Sequence, residues 1–219
     1  MILEAEPPIP NEPPGTSSRV DVGKEDPVKV EALKDGATVL LQEPQAADAE
    51  RLRRFFVGLP VEDRRYFRFD LGRADVVETL IRQAEAGMAY RVLALVDNEV
   101  VGHGALYFSH DGWQRHIGEI RVLVAPDYRG LRLGTHIIGQ LFEEAEKRSV
   151  TRVVARMAEP ETAGRKIFER LGFIVDATLP DHVKDADGNL HALVVMSCAL
   201  DEVSRAMRDF YRDDNWPDG

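Results

Sequence analysis

Apolar and polar positions follow regular periods from residue 37 onward. Residues 38–41 are typical of a strand, and a helix follows Pro44 from about residue 45. A second helix is predicted over 74–87, where Gly87 is a suitable C-terminal stop. The apolar positions of each helix fall on one face: Leu52, Phe55, Phe56 and Leu59 in the first, and Val77, Leu80, Ile81 and Ala84 in the second. The folded part therefore opens with a strand and two amphipathic helices.

The middle of the chain is rich in strand-forming residues. Residues 90–96 and 100–108 are joined by Asp97 and Asn98, a turn-prone pair that predicts a hairpin. A further strand is predicted over 118–125. This region therefore supplies three strands in succession.

Helices and strands alternate in the C-terminal part. The first helix here begins just after Gly130, and its apolar face consists of Ile137, Ile138, Leu141, Phe142 and Ala145. The later predicted elements are a strand over 152–157, a helix over 162–171 capped by Gly172, strands over 173–178 and 191–198 around a turn at 185–188, and a helix over 201–211. Interleaved helices and strands predict a mixed α/β domain.

The first 36 residues lack this regularity. They carry clustered prolines with alternating acids and lysines, and such a segment buries too little apolar surface to offset the entropy of ordering. We therefore expect a disordered, Pro-rich and charged tail over 1–36. One catalytic domain is expected over 37–200, and a helix with a frayed end over 201–219.

Composition and charge narrow the functional class. Apolar residues make up 44% of the 219 positions and charged residues 30%, which is ordinary for a folded globular protein. The formal net charge of -10 argues against nucleic acid and anionic membrane surfaces as partners, because both would be repelled. A polyanionic ligand would need a local positive pocket.

The single cysteine, Cys198, allows no internal disulfide and no thiolate zinc site. No metal site is predicted, since the chain has no His-Glu-x-x-His motif and the acidic turn at 185–188 lacks the rest of a calcium loop. No apolar run approaches the roughly 20 residues that cross a bilayer. These features favour a reducing, cytoplasmic setting.

The segment 119–136 carries the most specific chemistry. A buried strand ends at Pro126, turns through Arg129 and Gly130, and enters an amphipathic helix. This layout aims the unpaired N–H groups of the first helical turn at one point, where the helix dipole favours an anion such as a pyrophosphate. Gly130 and Gly134 would let phosphates approach the main chain closely.

Residues 124–134, Val-Ala-Pro-Asp-Tyr-Arg-Gly-Leu-Arg-Leu-Gly, resemble the coenzyme A pyrophosphate loop of the GNAT superfamily of N-acyltransferases, usually written Gln/Arg-x-x-Gly-x-Gly/Ala. Arg129 matches the first position and Gly134 the last, while Arg132 replaces the usual glycine and adds positive charge near the phosphates. Residues 167–173, Ile-Phe-Glu-Arg-Leu-Gly-Phe, resemble the family's Leu-Tyr-Glu-Lys-Leu-Gly-Phe helix end. The order of elements over about three quarters of the chain is also similar to the family.

The resemblance implies a fold, two substrates and a binding site. The fold is mixed α/β, of the α+β type, with a central and mostly antiparallel sheet of six to seven strands and helices on both faces. The donor is acetyl-coenzyme A, and the acceptor is an amine on a small molecule or on a protein lysine; residues 59–69 are similar to a motif of bacterial protein-lysine acetyltransferase domains. The implied cofactor-binding residues are Leu123, Val124, Arg129, Gly130, Leu131, Arg132, Leu133, Gly134, Thr135 and Phe168. The oligomeric state stays open, a dimer included.

The catalytic base is predicted to be Glu119. A lysine-like amine has a pKa of about 10.4, so a base or a desolvating pocket must help to remove its proton. The family often carries a glutamate at the start of this strand, and Val124 would then offer its N–H to the acetyl oxygen. The alternative interpretation of Glu119 is a strand carboxylate paired with Arg121. Three histidines are alternative bases: His103, His110 and His116.

The general acid does not carry over from the family, because Phe168 stands where the family has tyrosine. A thiol pKa is only about 8.5, so the thiolate could leave unassisted, or Tyr107 or His110 could protonate it. Two functions of other classes stay open: a non-catalytic acyl-coenzyme A sensor, and an interaction protein that recruits partners through its Pro-rich arm.

Overall fold

A computed structural model describes residues 29–67 and 70–202. The strands are β1 Lys29–Ala32, β2 Thr38–Gln42, β3 Ala89–Val96, β4 Glu99–Phe108, β5 Ile117–Val124, β6 Arg152–Ala158, β7 Ile174–Lys184 and β8 Leu190–Ala199. The helices are α1 Ala49–Gly58, α2 Val61–Arg64, α3 Ala74–Glu85, α4 Leu133–Lys147 and α5 Thr162–Arg170. Short 3₁₀ turns lie at Ala46–Asp48 and Pro126–Tyr128.

The strands form one sheet in the order β1-β2-β3-β4-β5-β6-β8-β7. Neighbours pair antiparallel except β5 and β6, which pair parallel and are connected through α4. The predicted mixed class, the mostly antiparallel sheet and the helices on both faces are confirmed. The predicted strand number is corrected from six or seven to eight.

The extra strand is β1, which lies inside the segment predicted to be a tail. It pairs with β2 at the sheet edge, and its four residues alternate between half-buried and exposed positions. Charged residues at every second position left too few apolar positions to predict this strand, although such charges are typical of an exposed sheet edge. Residues 1–28 of the predicted tail and most of the predicted helix over 201–211 lie outside the described residues.

Two apolar cores lie on opposite faces of the sheet. The larger core contains the buried faces of α4 and α5, and the smaller core contains those of α1 and α3. The smaller core includes Phe56 and Leu80, both on predicted apolar faces. Helix α4 lies directly on β4, because a Cβ atom at Gly104 would come within 2.5 Å of the Ile137 side chain. Glycine in β4 is therefore required for this close packing.

The turns follow the predicted chemistry. Asp97 and Asn98 both have positive φ, 49° and 67°, as a tight hairpin turn between β3 and β4 requires. Gly87 and Gly172, with φ of 70° and 87°, follow the ends of α3 and α5. Within the described ranges, no helix is long and apolar enough to span a bilayer.

Candidate active site

The sheet opens between its two parallel strands. Pairing of β5 with β6 runs from Ile117 opposite Arg152 to Ile120 opposite Ala155, and within the described part of the chain it goes no further. Strand β5 nevertheless stays paired with β4 up to Val124. A gap that widens toward the C-terminal ends of β5 and β6 therefore lies in the middle of the sheet.

The main chain of β5 borders this gap. The Ala125 N–H donates to the Val101 carbonyl oxygen of β4 at 2.9 Å. Because successive residues of a strand direct their N–H and C=O groups to opposite sides, Val122 and Val124 direct theirs away from β4 and into the gap. Such an edge can pair with an extended ligand chain as it would with another strand.

The predicted anion loop lies at the mouth of the gap. Gly130 has φ of 73°, and Arg132 has φ of 68° as the residue that precedes α4. The N–H groups of Leu133 and Gly134 belong to the first turn of α4, where no preceding turn supplies carbonyl partners, so they point out of the helix end. The Leu133 side chain is fully buried. Leu133 is buried as a whole residue, whereas Gly134 of the same turn lines the cavity and is within reach of a ligand.

Arg129 contacts two other segments. Its guanidinium donates to the Val124 carbonyl oxygen at 3.2 Å and forms an ion pair with Asp63 of α2. This side chain therefore joins the loop to the end of β5 and to α2. An anion that binds Arg129 would compete with Asp63.

A cavity of about 830 Å³ occupies the gap. On the face that carries α4 and α5 it is lined by Val122, Val124, Gly134, Ile138, Ala155 and Phe168. On the face that carries α1 and α3 it is lined by Phe56, Leu80, Arg91, His103, Tyr107, Arg121 and Leu123. Residues of α2 and the segment after it also contribute: Glu62, Asp63, Arg65, Tyr66 and Phe67. The cavity therefore connects the two faces of the sheet.

A cationic cluster lies on the face that carries α1 and α3. Arg91 is 1% exposed and donates hydrogen bonds to the Leu80 carbonyl at 3.1 Å, to Gln83 at 3.3 Å and to the Tyr107 hydroxyl at 3.2 Å. The guanidinium carbons of Arg91 and Arg121 lie 5.1 and 4.9 Å from the centroid of the Tyr107 ring. Two guanidinium groups thus converge on one aromatic ring in the cavity.

Glu119 lies beside this cluster. It is opposite Tyr107 in the β4–β5 register, and its carboxylate accepts from Arg121 at 2.8 Å and approaches Arg156 at 3.3 Å. The ion pair with Arg121 that sequence analysis gave as the alternative interpretation is therefore present. Glu119 is absent from the described residues that line the cavity.

The histidines differ in their surroundings. His103 lies in the cavity wall, packs edge-on against Phe56 at 5.4 Å, and its Nε2 has no hydrogen-bond partner in the described part of the chain. Burial, together with the Arg91 charge, lowers its pKa from 6.5 to about 3. His103 is therefore neutral near pH 7. His110 and His116 are exposed on the connection between β4 and β5.

Glu161, which was not among the predicted site residues, lines the cavity just before α5. Burial and the nearby charge of Asp63 raise its pKa, while a 2.6 Å hydrogen bond from the Ala158 N–H acts in the opposite direction. The sequence pattern that could have indicated this residue is an acidic residue directly before a helix that follows a buried strand. A carboxyl group with a raised pKa in a cavity is a candidate for proton transfer.

Phe168 contacts both the core and the cavity. It is 9% exposed, packs against Phe173 with a centroid distance of 5.0 Å and lines the cavity. The thiol of Cys198 is buried elsewhere and lies 3.5 Å from Glu202, and burial raises its pKa to about 11. A thiol with such a pKa is a poor nucleophile near neutral pH. Among the described residues, no group of three or more His, Cys, Asp or Glu side chains could hold a metal ion.

The sequence profile of the Acetyltransferase (GNAT) family matches residues 50–173. The L-amino acid N-acyltransferase MnaT of Escherichia coli (strain K12) is 32% identical over 123 residues, which cover 55% of this chain and 70% of that protein. The family match over residues 50–173 includes the anion loop, β5, β6 and α5.

Solved structures with low sequence identity share the fold. A ribosomal-protein-alanine N-acetyltransferase from Brucella melitensis aligns with a TM-score of 0.65 and 22% identity over 73% of this chain and 99% of its own. The protein yncA of Salmonella typhimurium, solved with its cofactor acetyl-CoA, aligns with a TM-score of 0.64 and 17% identity over 83% of this chain and 98% of its own.

Proposed function

The chain belongs to the acetyltransferase (GNAT) family, and we propose that it transfers an acetyl group from acetyl-coenzyme A to a primary amine by direct attack in a ternary complex. The observation that carries this proposal is the gap between β5 and β6, which ends at the N-terminus of α4. A diphosphate at the helix end would leave the thioester arm free to enter the gap.

The donor uses the main chain of two elements. The diphosphate accepts hydrogen bonds from the first-turn amides of α4, with Arg129 and Arg132 as added cations. The extended arm pairs with the edge of β5 at Val122 and Val124, where the Val124 carbonyl also accepts from Arg129. The acetyl-coenzyme A complex of the Salmonella neighbour, which shares the fold, supports this choice of donor.

The acceptor enters from the face that carries α1 and α3. Because Glu119 does not line the cavity, it takes a proton from the ammonium group through a water molecule, and the neutral amine attacks the carbonyl carbon of the thioester. The Val124 N–H donates to the oxygen that becomes negative, the carbon–sulfur bond breaks, and the coenzyme A thiolate leaves. The thiolate takes a proton from Tyr107 or from water, and the second proton that the attacking nitrogen must lose replaces it. Tyr107 lines the cavity, whereas His110 does not.

The relatives differ in their acceptors. The Escherichia coli relative is described as acting on L-amino acids, and the Brucella neighbour on an alanine of a ribosomal protein. The proposed acceptor is therefore an amine either on a free small molecule or on a protein.

Calorimetry with coenzyme A and release of free thiol from acetyl-coenzyme A test the proposal. We expect saturable binding and thiol release that depends on an added amine. Initial velocities at varied donor and acceptor should give intersecting double-reciprocal lines, because both substrates occupy the cavity together. Parallel lines would contradict direct attack, and tight binding with no thiol release for any amine would favour a non-catalytic sensor.

A further inference from the structure

Arg91 is a buried cation without a carboxylate partner in the described part of the chain. Its hydrogen bonds go to a carbonyl, an amide oxygen and a phenol, which are all neutral acceptors. An ionised group inside a protein is costly unless an opposite charge lies nearby. An arginine with a 1% exposed surface therefore calls for an anion.

Among the described residues, no carboxylate forms a hydrogen bond or ion pair with Arg91. Arg121 and Arg91 face the same Tyr107 ring, and the carboxylate nearest to them in the sheet is Glu119. Arg121 and Arg156 share this carboxylate, while the hydrogen bonds of Arg91 go to neutral acceptors only.

Arg91 and Arg121 lie on the side of the sheet that the donor does not use. Diphosphate binding is assigned to the end of α4, on the opposite face. Arg91, Tyr107 and Arg121 side chains all project toward α1 and α3. The anion that completes the cluster must therefore come with the acceptor.

The wall of the cavity offers one more polar group. The Nε2 atom of His103 is buried and has no hydrogen-bond partner in the part of the chain that the structure describes. A buried nitrogen without a partner costs free energy that a ligand atom can recover. His103 and Arg91 lie close enough for the Arg91 charge to act on the imidazole.

We propose that Arg91, assisted by Arg121, binds a carboxylate of the acceptor, so that the acceptor is a free amino acid or a similar small amine that carries a carboxylate. This inference rests on the proposed function and selects between its two acceptor classes. A lysine side chain within a protein has no carboxylate to place beside Arg91. The carboxylate of a free amino acid is held by charge-assisted hydrogen bonds while its amine faces the thioester.

The decisive comparison uses pairs of acceptors that differ only in the carboxylate. Thiol release is measured for a panel of L-amino acids, for the corresponding amino acid amides, and for a lysine-containing peptide with blocked ends. For the preferred amino acid we expect kcat/KM at least about tenfold above that of its amide, because a buried charged hydrogen bond is lost. Equal values for acid and amide, or a preference for the peptide, would overturn the inference.

Variants of Arg91 test whether this residue causes the preference for the amino acid over its amide. Arg91→Gln should raise the KM for the amino acid about tenfold or more and leave the KM for the amide nearly unchanged. The preference for the acid over the amide would then be lost. Arg91→Lys keeps the charge and should restore part of the preference. Arg152→Gln removes an arginine whose hydrogen bond goes to Ser197, away from the cavity lining, and should behave as wild type. Unaltered discrimination in Arg91→Gln would refute the assignment.

A binding measurement separates the two proposals. The preferred L-amino acid and its amide are added to protein saturated with coenzyme A, and the rise in melting temperature is compared. A larger rise with the acid supports the carboxylate site even if no thiol is released. Thiol release from amides and amino acids alike, with equal rises in melting temperature, would leave the proposed function standing and the carboxylate site refuted.

Discussion

At the scale of single residues, Glu119 is the first candidate for proton transfer. Glu119→Gln keeps the shape and the hydrogen-bond acceptor but removes the base, so we expect kcat to fall about 100-fold or more. Coenzyme A affinity should change little, because Glu119 lies on the acceptor face. Rates measured across pH 6–9, with calorimetry for coenzyme A, check this. Unchanged turnover near pH 7 would remove Glu119 from the mechanism and leave Glu161 as the carboxyl group to examine.

The burial of His103 leads us to expect that the folded protein loses stability at acidic pH. The pKa of His103 is about 3 in the folded protein against an ordinary value of 6.5. Between these pH values the unfolded chain therefore binds a proton at this residue and the folded protein does not. Stability from this residue is present above pH 6.5 and lost as pH falls toward 3. We expect the melting temperature of the wild type to fall more steeply from pH 6.5 to 4 than that of His103→Gln.

Equal slopes for both proteins would show that His103 does not titrate in this range. His110→Gln is the matched control, because this histidine is exposed and its loss should leave the slope as it is in the wild type.

Residue roles were only partly predictable. The position of Glu119 and its pairing with Arg121 could be read from spacing along one strand. The Arg91 cluster could not, because Arg91, Tyr107 and Arg121 come from three different strands and meet only through the sheet register. Arg91 is a charged residue within an otherwise apolar strand, and nothing in the local sequence indicates that it is buried.

At the scale of elements, the loop before α4 can be tested through its glycine. Gly130→Ala places a side chain at φ 73°, which costs about 1–2 kcal/mol of stability and puts a methyl group beside the anion loop. We expect weaker coenzyme A binding, by about tenfold, in calorimetry. Gly112→Ala is the matched control: its φ is 78°, and its Cβ would also meet open space.

Both variants should lose similar melting temperature, whereas only Gly130→Ala should lose affinity. Equal affinities in the two variants would contradict the assignment of this loop to the diphosphate.

Helix α2 offers a second test, since Asp63 pairs with Arg129. Removing this competitor by Asp63→Asn should tighten coenzyme A binding a few-fold, because Arg129 becomes available to phosphate. Asp187→Asn breaks the 2.9 Å ion pair with Arg65, which anchors the same segment without involving Arg129, and should leave affinity unchanged. Titration calorimetry compares the three proteins. Weaker binding in Asp63→Asn would show that the pair organises the site instead of competing for it.

Elements themselves were well predicted, for a physical reason. Long segments such as α4 and β4 carry strong periodicity. Strand β4 begins directly after the Asp97-Asn98 turn, and β5 ends just before Pro126. The end of the β5–β6 pairing was not predictable, because it depends on two segments separated by the whole of α4. Strand β1 was missed because a four-residue edge strand shows too few apolar positions.

At the scale of the whole molecule, charge is unevenly distributed. The chain carries a formal net charge of -10, yet five arginines line the cavity: Arg65, Arg91, Arg121, Arg129 and Arg156. An acidic exterior repels anions in general, while the cavity attracts those that fit it. Glu62, Asp63 and Glu161 line the same cavity, so arginines exceed carboxylates there by two (five against three).

The break between β5 and β6 gives the donor a structural as well as a chemical role. If the extended arm of the donor pairs with Val122 and Val124, the arm takes the place of a strand. It then continues the hydrogen-bond pattern at the point where the pairing of β5 with β6 ends. Amide hydrogen exchange at these two residues should slow when coenzyme A is added, and the melting temperature should rise with its concentration. The folded protein would then persist longer where its own acyl donor is abundant.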